Sequence, residues 1–177
     1  LMGVTGTGKT TVGEALAQAT GWQFADADDF HSQANRAKMH AGIPLTDEDR
    51  EPWLLSLHEQ IMEWIRGNGN GILACSALRE SYRTTLTGGT PKDSVRIVYL
   101  TGPEELIQER MEARHGHYMP ESLLPSQLAT LEPPHDAIEI SIAQTIPAMV
   151  QEILKALGVA REAYAGESGS KQNQEGL

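Results

Sequence analysis

The chain has 177 residues, 40% of them hydrophobic, with a formal net charge of −10 and a single cysteine, Cys75. That length suits one domain able to bury most of its apolar surface. The acidic balance excludes non-specific nucleic-acid binding, which rests on basic surface, and one cysteine excludes both an internal disulfide and a cysteine zinc cluster.

The first stretch reads Gly3-Val4-Thr5-Gly6-Thr7-Gly8-Lys9-Thr10, the G-x-x-x-x-G-K-[ST] phosphate-binding loop. Its glycines let backbone N–H groups converge into a nest for an anion. Lys9 supplies a mobile charge for the outer phosphates, and the Thr10 hydroxyl is placed to ligate Mg²⁺. A helix must follow, and Val12, Ala15, Leu16 and Ala19 recur at helical spacing before Gly21 stops it. A buried strand must precede; only Leu1 and Met2 stand there, so the first strand is expected to be clipped or missing.

Trp22 to Asp29 reads as a short strand running into acids, and Ser32 caps a short helix through Met39. Thr46-Asp47-Glu48-Asp49 opens a longer helix whose apolar face is Trp53, Leu54, Leu57, Ile61, Trp64 and Ile65. Ile72 to Cys75 is an apolar run, the mark of a strand covered on both faces, and Ser76 leads a helix to about Leu86. Val95 to Leu100 is the next strand. Pro103 fits the first position of a helix carrying Leu106, Ile107, Arg110, Met111 and Arg114. Residues 115–135 are proline-rich and irregular, with one short helix near Ser126 to Leu131. Ala137 to Ile142 and Pro147 to Leu157 form the last strand and helix, and a polar tail, expected to be disordered, follows from Gly158.

Strands alternating with helices imply an α/β fold of three layers, a parallel sheet of about five strands with helices on both faces. No apolar run reaches transmembrane length and no signal peptide is recognisable, which points to a cytoplasmic protein without a membrane partner.

Asp26 and Asp28 stand at the end of the second strand, where open parallel sheets place ligands. Strand alternation puts the two on one side; one carboxylate would hold Mg²⁺ through water and the other take a hydroxyl proton. As plain loop caps they would do neither, but beside a phosphate loop the catalytic reading is favoured. Arg110 and Arg114 lie one helical turn apart before the irregular segment, suited to stabilising a transferring phosphoryl group, against pairing of Arg110 with Glu105 on a solvated face. Arg79 and Arg83 suit a carboxylate clamp or ordinary surface charge. The histidines fit no metal-binding spacing, and Cys75, Trp53 and Trp64 read as core.

These residues resemble the gluconate kinases, among the shikimate- and nucleoside-monophosphate-kinase-like phosphate-loop proteins. Besides the loop, the resemblance rests on Asp26-Ala27-Asp28-Asp29-Phe30-His31, Gly42-Ile43-Pro44-Leu45-Thr46-Asp47-Glu48-Asp49-Arg50 with Pro52-Trp53-Leu54, and Cys75-Ser76-Ala77-Leu78 with Tyr82-Arg83. Gly116-His117-Tyr118-Met119 and Thr130-Leu131-Glu132-Pro133-Pro134 extend it. It departs in the clipped first strand, in Arg79-Glu80 where two lysines are expected, and in Thr84 where an acid is usual.

The resemblance implies an adenylate-kinase-like P-loop NTPase fold: a kinase domain over 1–157 with a lid at about 114–126, and a tail over 158–177. It implies a cytosolic, often dimeric enzyme transferring phosphate from ATP to the 6-hydroxyl of D-gluconate. Lys9, Arg110 and Arg114 would stabilise the moving group, Asp28 act as base, and Thr10 and Asp26 serve the metal. His31, Arg79 and Arg83 join Asp28 on the acceptor. Rival expectations are a kinase for another small hydroxylated acid and a degenerate nucleotide-binding paralogue. A switch GTPase is excluded by the lack of an N-K-x-D guanine motif.

Overall fold

The computed structural model describes residues 1–113 and 123–159. The expected Arg114, most of the expected lid and all but the first two residues of the expected tail therefore lie outside the described residues. In chain order the elements are helix α1 (Lys9–Thr20), strand β1 (Gln23–Asp26), a 3-10 turn (Ala27–Phe30), α2 (Gln33–His40), α3 (Asp47–Arg66), β2 (Gly71–Ala74) and α4 (Glu80–Thr87). There follow β3 (Val98–Thr101), α5 (Glu104–Glu112), α6 (Leu123–Thr130), β4 (Ile138–Ser141) and α7 (Ile146–Leu157).

β1 pairs in parallel with β2, Gln23 beside Gly71 through Asp26 beside Ala74. β3 pairs in parallel with β4, Val98 beside Ile138 through Thr101 beside Ser141. The first residues of the chain join the two pairs. Leu1 N–H donates to Leu73 O at 2.7 Å and Cys75 N–H to Leu1 O at 3.0 Å. On the other side Met2 N–H donates to Val98 O at 2.8 Å and Leu100 N–H to Met2 O at 2.9 Å. The expected first strand is thus present as a short central stub, and the parallel order is β1, β2, the stub, β3, β4.

Strand alternation sorts the sheet's side chains onto two faces. Ile72, Val98, Leu100 and Ile140 pack with Val12 and Leu16 of α1 and Met149, Val150, Ile153 and Leu154 of α7. Met2, Cys75 and Tyr99 pack on the opposite face with Leu54, Leu57 and Ile61 of α3 and Leu86 of α4. Helices therefore cover both faces, as expected. α3 starts at a capping box in which Thr46 and Asp49 satisfy each other's backbone N–H. Ser32 caps α2, accepting from Asn35 N–H, and Gly21 ends α1 at φ 71°.

Four expectations need correction. β1 stops at Asp26, because the Asp26 side chain accepts from Asp28 N–H and turns the backbone out of the ladder. Asp26 and Asp28 are therefore not alternate residues of one strand. β3 begins at Val98 rather than Val95, since its ladder partners, the stub and β4, begin level with Val98. Pro103 caps α5 from outside, with extended backbone at ψ 142°. α6 already includes Leu123, ahead of the Ser126 that its sequence suggests.

Candidate active site

The phosphate loop spans the step from the central stub to α1. At Gly3, φ is 144° and an added Cβ would lie 2.6 Å from Leu100 O; at Gly6, φ is 80° and the Cβ would lie 2.8 Å from Met111 Cγ. Both positions require glycine for conformation and for room. Thr7 is fully buried, and its hydroxyl donates to Val4 O at 2.8 Å, closing the loop on itself. Lys9 Nζ folds back along the loop, donating to Gly3 O at 2.9 Å and Val4 O at 3.0 Å.

A cleft of about 420 Å³ opens over this loop, lined by Gly6, Gly8, Lys9, Thr10, Asp26 and Asp28 among others. The Thr10 hydroxyl donates to Asp26 Oδ2 at 2.7 Å. This places a hydroxyl and a carboxylate together at the start of α1, the hard oxygen donors that Mg²⁺ takes alongside phosphate oxygens and water. Among the described residues no group of three or more acidic, histidine or cysteine side chains could hold a metal. A divalent ion here would therefore lean on the nucleotide for much of its shell, which fits Mg²⁺.

Asp28 projects into the mouth of the cleft from the 3-10 turn. Crowding by the cleft walls, and secondarily the Asp26 charge, raise its carboxyl above the usual carboxylate range, with Lys9 opposing. Three contacts hold the turn. Trp53 Nε1–H donates to Ala27 O at 2.7 Å. Arg36 donates to Asp29 O at 2.7 Å and His31 O at 3.1 Å. The His31 ring stacks on Trp53, with centroids 4.4 Å apart. Sequence reasoning missed Trp53 and Arg36 here. The tryptophan falls in the apolar stripe of α3, and nothing in the pattern marks its N–H as a tether.

Arg110 lies beside the loop. Its Nη2 donates to Ile142 O at 2.5 Å, and its Nη1 is 4.0 Å from where a Cβ on Gly8 would stand. Among the described residues it makes no ion pair with Glu105. Arg79 caps α4 and pairs with Asp47 at 3.0 Å, an acid that also accepts from Tyr82 Oη–H at 2.7 Å. Arg83 is buried, its Nη1 donating to Ala77 O at 2.9 Å and Leu78 O at 3.2 Å. The structure brings Lys9, Thr10, Asp26, Asp28 and Arg110 around the loop. His31, Arg79 and Arg83 do not line the cleft. Cys75 sits in the floor, its thiol pushed up to about 11 by burial, as expected of an inert core residue.

A family model described as an AAA domain matches residues 1–134. The chain is 42% identical over 176 residues to a probable gluconokinase of Rattus norvegicus, covering 89% of this chain and 95% of that one. It is 44% identical over 159 residues to the gluconokinase of Gluconobacter oxydans, covering 88% of each. Among solved structures, a gluconokinase from Sinorhizobium meliloti superposes with a TM-score of 0.78 at 42% identity, covering 89% of each chain. With the phosphate loop, the acid turn and this likeness extending along most of both chains, the protein belongs to the gluconokinase family.

Proposed function

We propose that this chain transfers the γ-phosphoryl group of ATP to the 6-hydroxyl of D-gluconate in one in-line step, giving 6-phospho-D-gluconate and ADP. The observation that carries the reading is the cleft over the phosphate loop, where Asp28 faces the same space as Lys9 and the Thr10–Asp26 pair. The loop amides and the dipole of α1 hold the phosphates. Lys9, released from its loop carbonyls, meets the charge that spreads over the moving group, and Arg110 is positioned to reach it from α5. Asp28 accepts the proton of the attacking hydroxyl, and its raised affinity for a proton favours that step. Mg²⁺, held by Thr10 and Asp26, would neutralise phosphate charge.

On the acceptor side of this proposal Arg79, partly exposed beside Asp47, would exchange that carboxylate for the acceptor's. His31 and Arg83 serve from behind the cleft by holding the acid turn and the bend at Ala77. Arg114 joins Arg110 as the second cation for the phosphoryl group, from the segment proposed as a lid. A homodimer, with residues 1–157 as its single catalytic domain, is the proposed assembly, checked by light scattering. The family resemblance and the buried free thiol of Cys75 support a reducing cytosol as its setting.

The deciding experiment is a coupled ADP-release assay with ATP, Mg²⁺ and D-gluconate. Turnover that needs gluconate, and that falls by about two orders of magnitude or more in Lys9→Ala, is expected. Turnover with shikimate or a nucleoside monophosphate, and none with gluconate, would overturn the proposed acceptor.

A further inference from the structure

α6 returns the chain to the phosphate loop, and it does so through one side chain. Leu124, 1% exposed, anchors the helix in the core, and Leu128 packs against the same core one turn later. Gln127 lies beside them on that face. Its Oε1 accepts from Thr5 N–H at 2.7 Å, a bond between residues 122 positions apart. Gln127 also lines the cleft that Lys9, Thr10, Asp26 and Asp28 share.

The orientation of this carboxamide follows from its partner. Thr5 N–H is a donor, so the oxygen branch must face it, and the other branch carries the two N–H donors of Nε2. Charge argues for an amide as well. Glu14, Asp26, Asp28 and Asp29 already line the cleft beside the cation of Lys9. A carboxylate at position 127 would satisfy Thr5 equally well but would add a further negative charge beside bound phosphates. An amide satisfies the loop and offers donors at no such cost. A phosphoryl group in transfer spreads its charge over equatorial oxygens, and fixed donors around it are the protein's main means of stabilising it.

We propose that Gln127 is a further residue of the active site, fixing the loop through Oε1 and donating from Nε2 to an oxygen of the phosphoryl group held there. The inference rests on the kinase reading above. Gln127→Glu keeps the acceptor for Thr5 but replaces the donors by a negative charge. Gln127→Leu removes acceptor and donors without adding charge, so the ATP-to-ADP comparison in the Leu variant separates donor loss from repulsion. With gluconate as acceptor, kcat falls at least about tenfold in both variants, within the range seen for loss of one transition-state donor. Thermal midpoints of the Glu variant stay near that of the unsubstituted chain. Equilibrium titrations add a readout free of turnover: both variants lose about tenfold in affinity for ATP relative to ADP, because the donor meets the terminal phosphoryl group alone.

A Glu variant with kcat within about threefold of the unsubstituted chain assigns Gln127 to loop support only and overturns the proposal. Equal weakening of ATP and ADP also overturns it, since that signals general repulsion or loop damage. If the unsubstituted chain turns over no gluconate, the acceptor assignment fails, and the ATP-to-ADP comparison still decides the role of Gln127.

Discussion

At the scale of single residues the acid turn is the most informative part of the molecule. The motif Asp26 to His31 was readable as a candidate site in the sequence because its acids, which alone would read equally well as loop caps, follow a strand beside a phosphate loop. What holds it was not readable, since the tethers come from α2 and α3 and each looks like an ordinary surface or core residue. Asp28→Asn tests the chemistry. It leaves the tethers to Ala27, Asp29 and His31 carbonyls in place and removes the base, so kcat falls about 100-fold or more while ATP affinity, read by titration, stays close to that of the parent. His31 supplies an independent test. Burial first, then the charges of Arg36 and Arg50, lower its ring to about 4, whereas a histidine in the unfolded chain titrates near the ordinary 6.5. Between those values the unfolded chain binds a proton that the native chain does not. His31 therefore favours the folded state fully above pH 6.5, and that contribution is lost as pH falls toward 4. The loss in denaturation midpoint between pH 7 and pH 5 should be smaller in His31→Phe than in the parent. Ring resonances of His31 that titrate near 6.5 in the native protein would refute this.

At the scale of elements, the helices were the readable part. Thr46 and Asp49 spell the capping box of α3, Gly21 ends α1, and Leu54, Leu57, Ile61 and Trp64 of the expected α3 stripe are buried, with Trp53 and Ile65 partly so. Strand ends were less readable, because a strand stops where its neighbours stop, and that is a property of the sheet. The bend between β2 and α4 shows a second kind of hidden information. Ala77 adopts φ 43°, a left-handed conformation that costs a residue with a Cβ on the order of 1 kcal/mol. The bend persists because buried Arg83 donates to the carbonyls of Ala77 and Leu78, and Glu132 N–H donates to Leu78 O at 2.8 Å. In the sequence Arg83 looked like half of an anion clamp; in the fold its guanidinium stabilises a turn that borders the cleft at Ser76. Ala77→Gly should relieve the strain and leave stability within about 1 kcal/mol of the parent, the gain being offset by a more flexible unfolded chain. Arg83→Met should cost about 1–3 kcal/mol through unpaired carbonyls, and Ala77→Gly should recover part of that loss in the double variant. Chemical denaturation of the three proteins measures all of these terms; additive effects would show that the bend and the arginine are uncoupled.

At the scale of the whole molecule, the two strand pairs meet at the chain's first residues, with a helical layer packed on each face of the sheet. The stub Leu1–Gly3 supplies the ladder contacts that connect β2 with β3, and it runs directly into the phosphate loop. Met2 is 2% exposed and packs with Leu54, Leu57, Ile61 and Tyr99 beneath α3. The apolar α3 face, the sheet and the loop therefore share one joint, and damage there should reach nucleotide binding although Met2 does not line the cleft. Met2→Leu conserves volume and polarity and should change stability by less than about 1.5 kcal/mol. Met2→Asp buries a charge among those apolar side chains and should cost about 3 kcal/mol or more. A domain of this size loses about 2–4 °C of thermal midpoint for each kcal/mol, so the Asp variant should melt some 6–12 °C lower. Isothermal titration below its new midpoint separates the two consequences. If the stub positions the loop, ATP affinity falls in the folded Asp variant while Met2→Leu binds as the parent does. If the Asp variant binds ATP as tightly as the parent wherever it is folded, the stub joins the sheet without setting the geometry of the loop, and α1, α5 and the Gln127 bond from α6 must hold it.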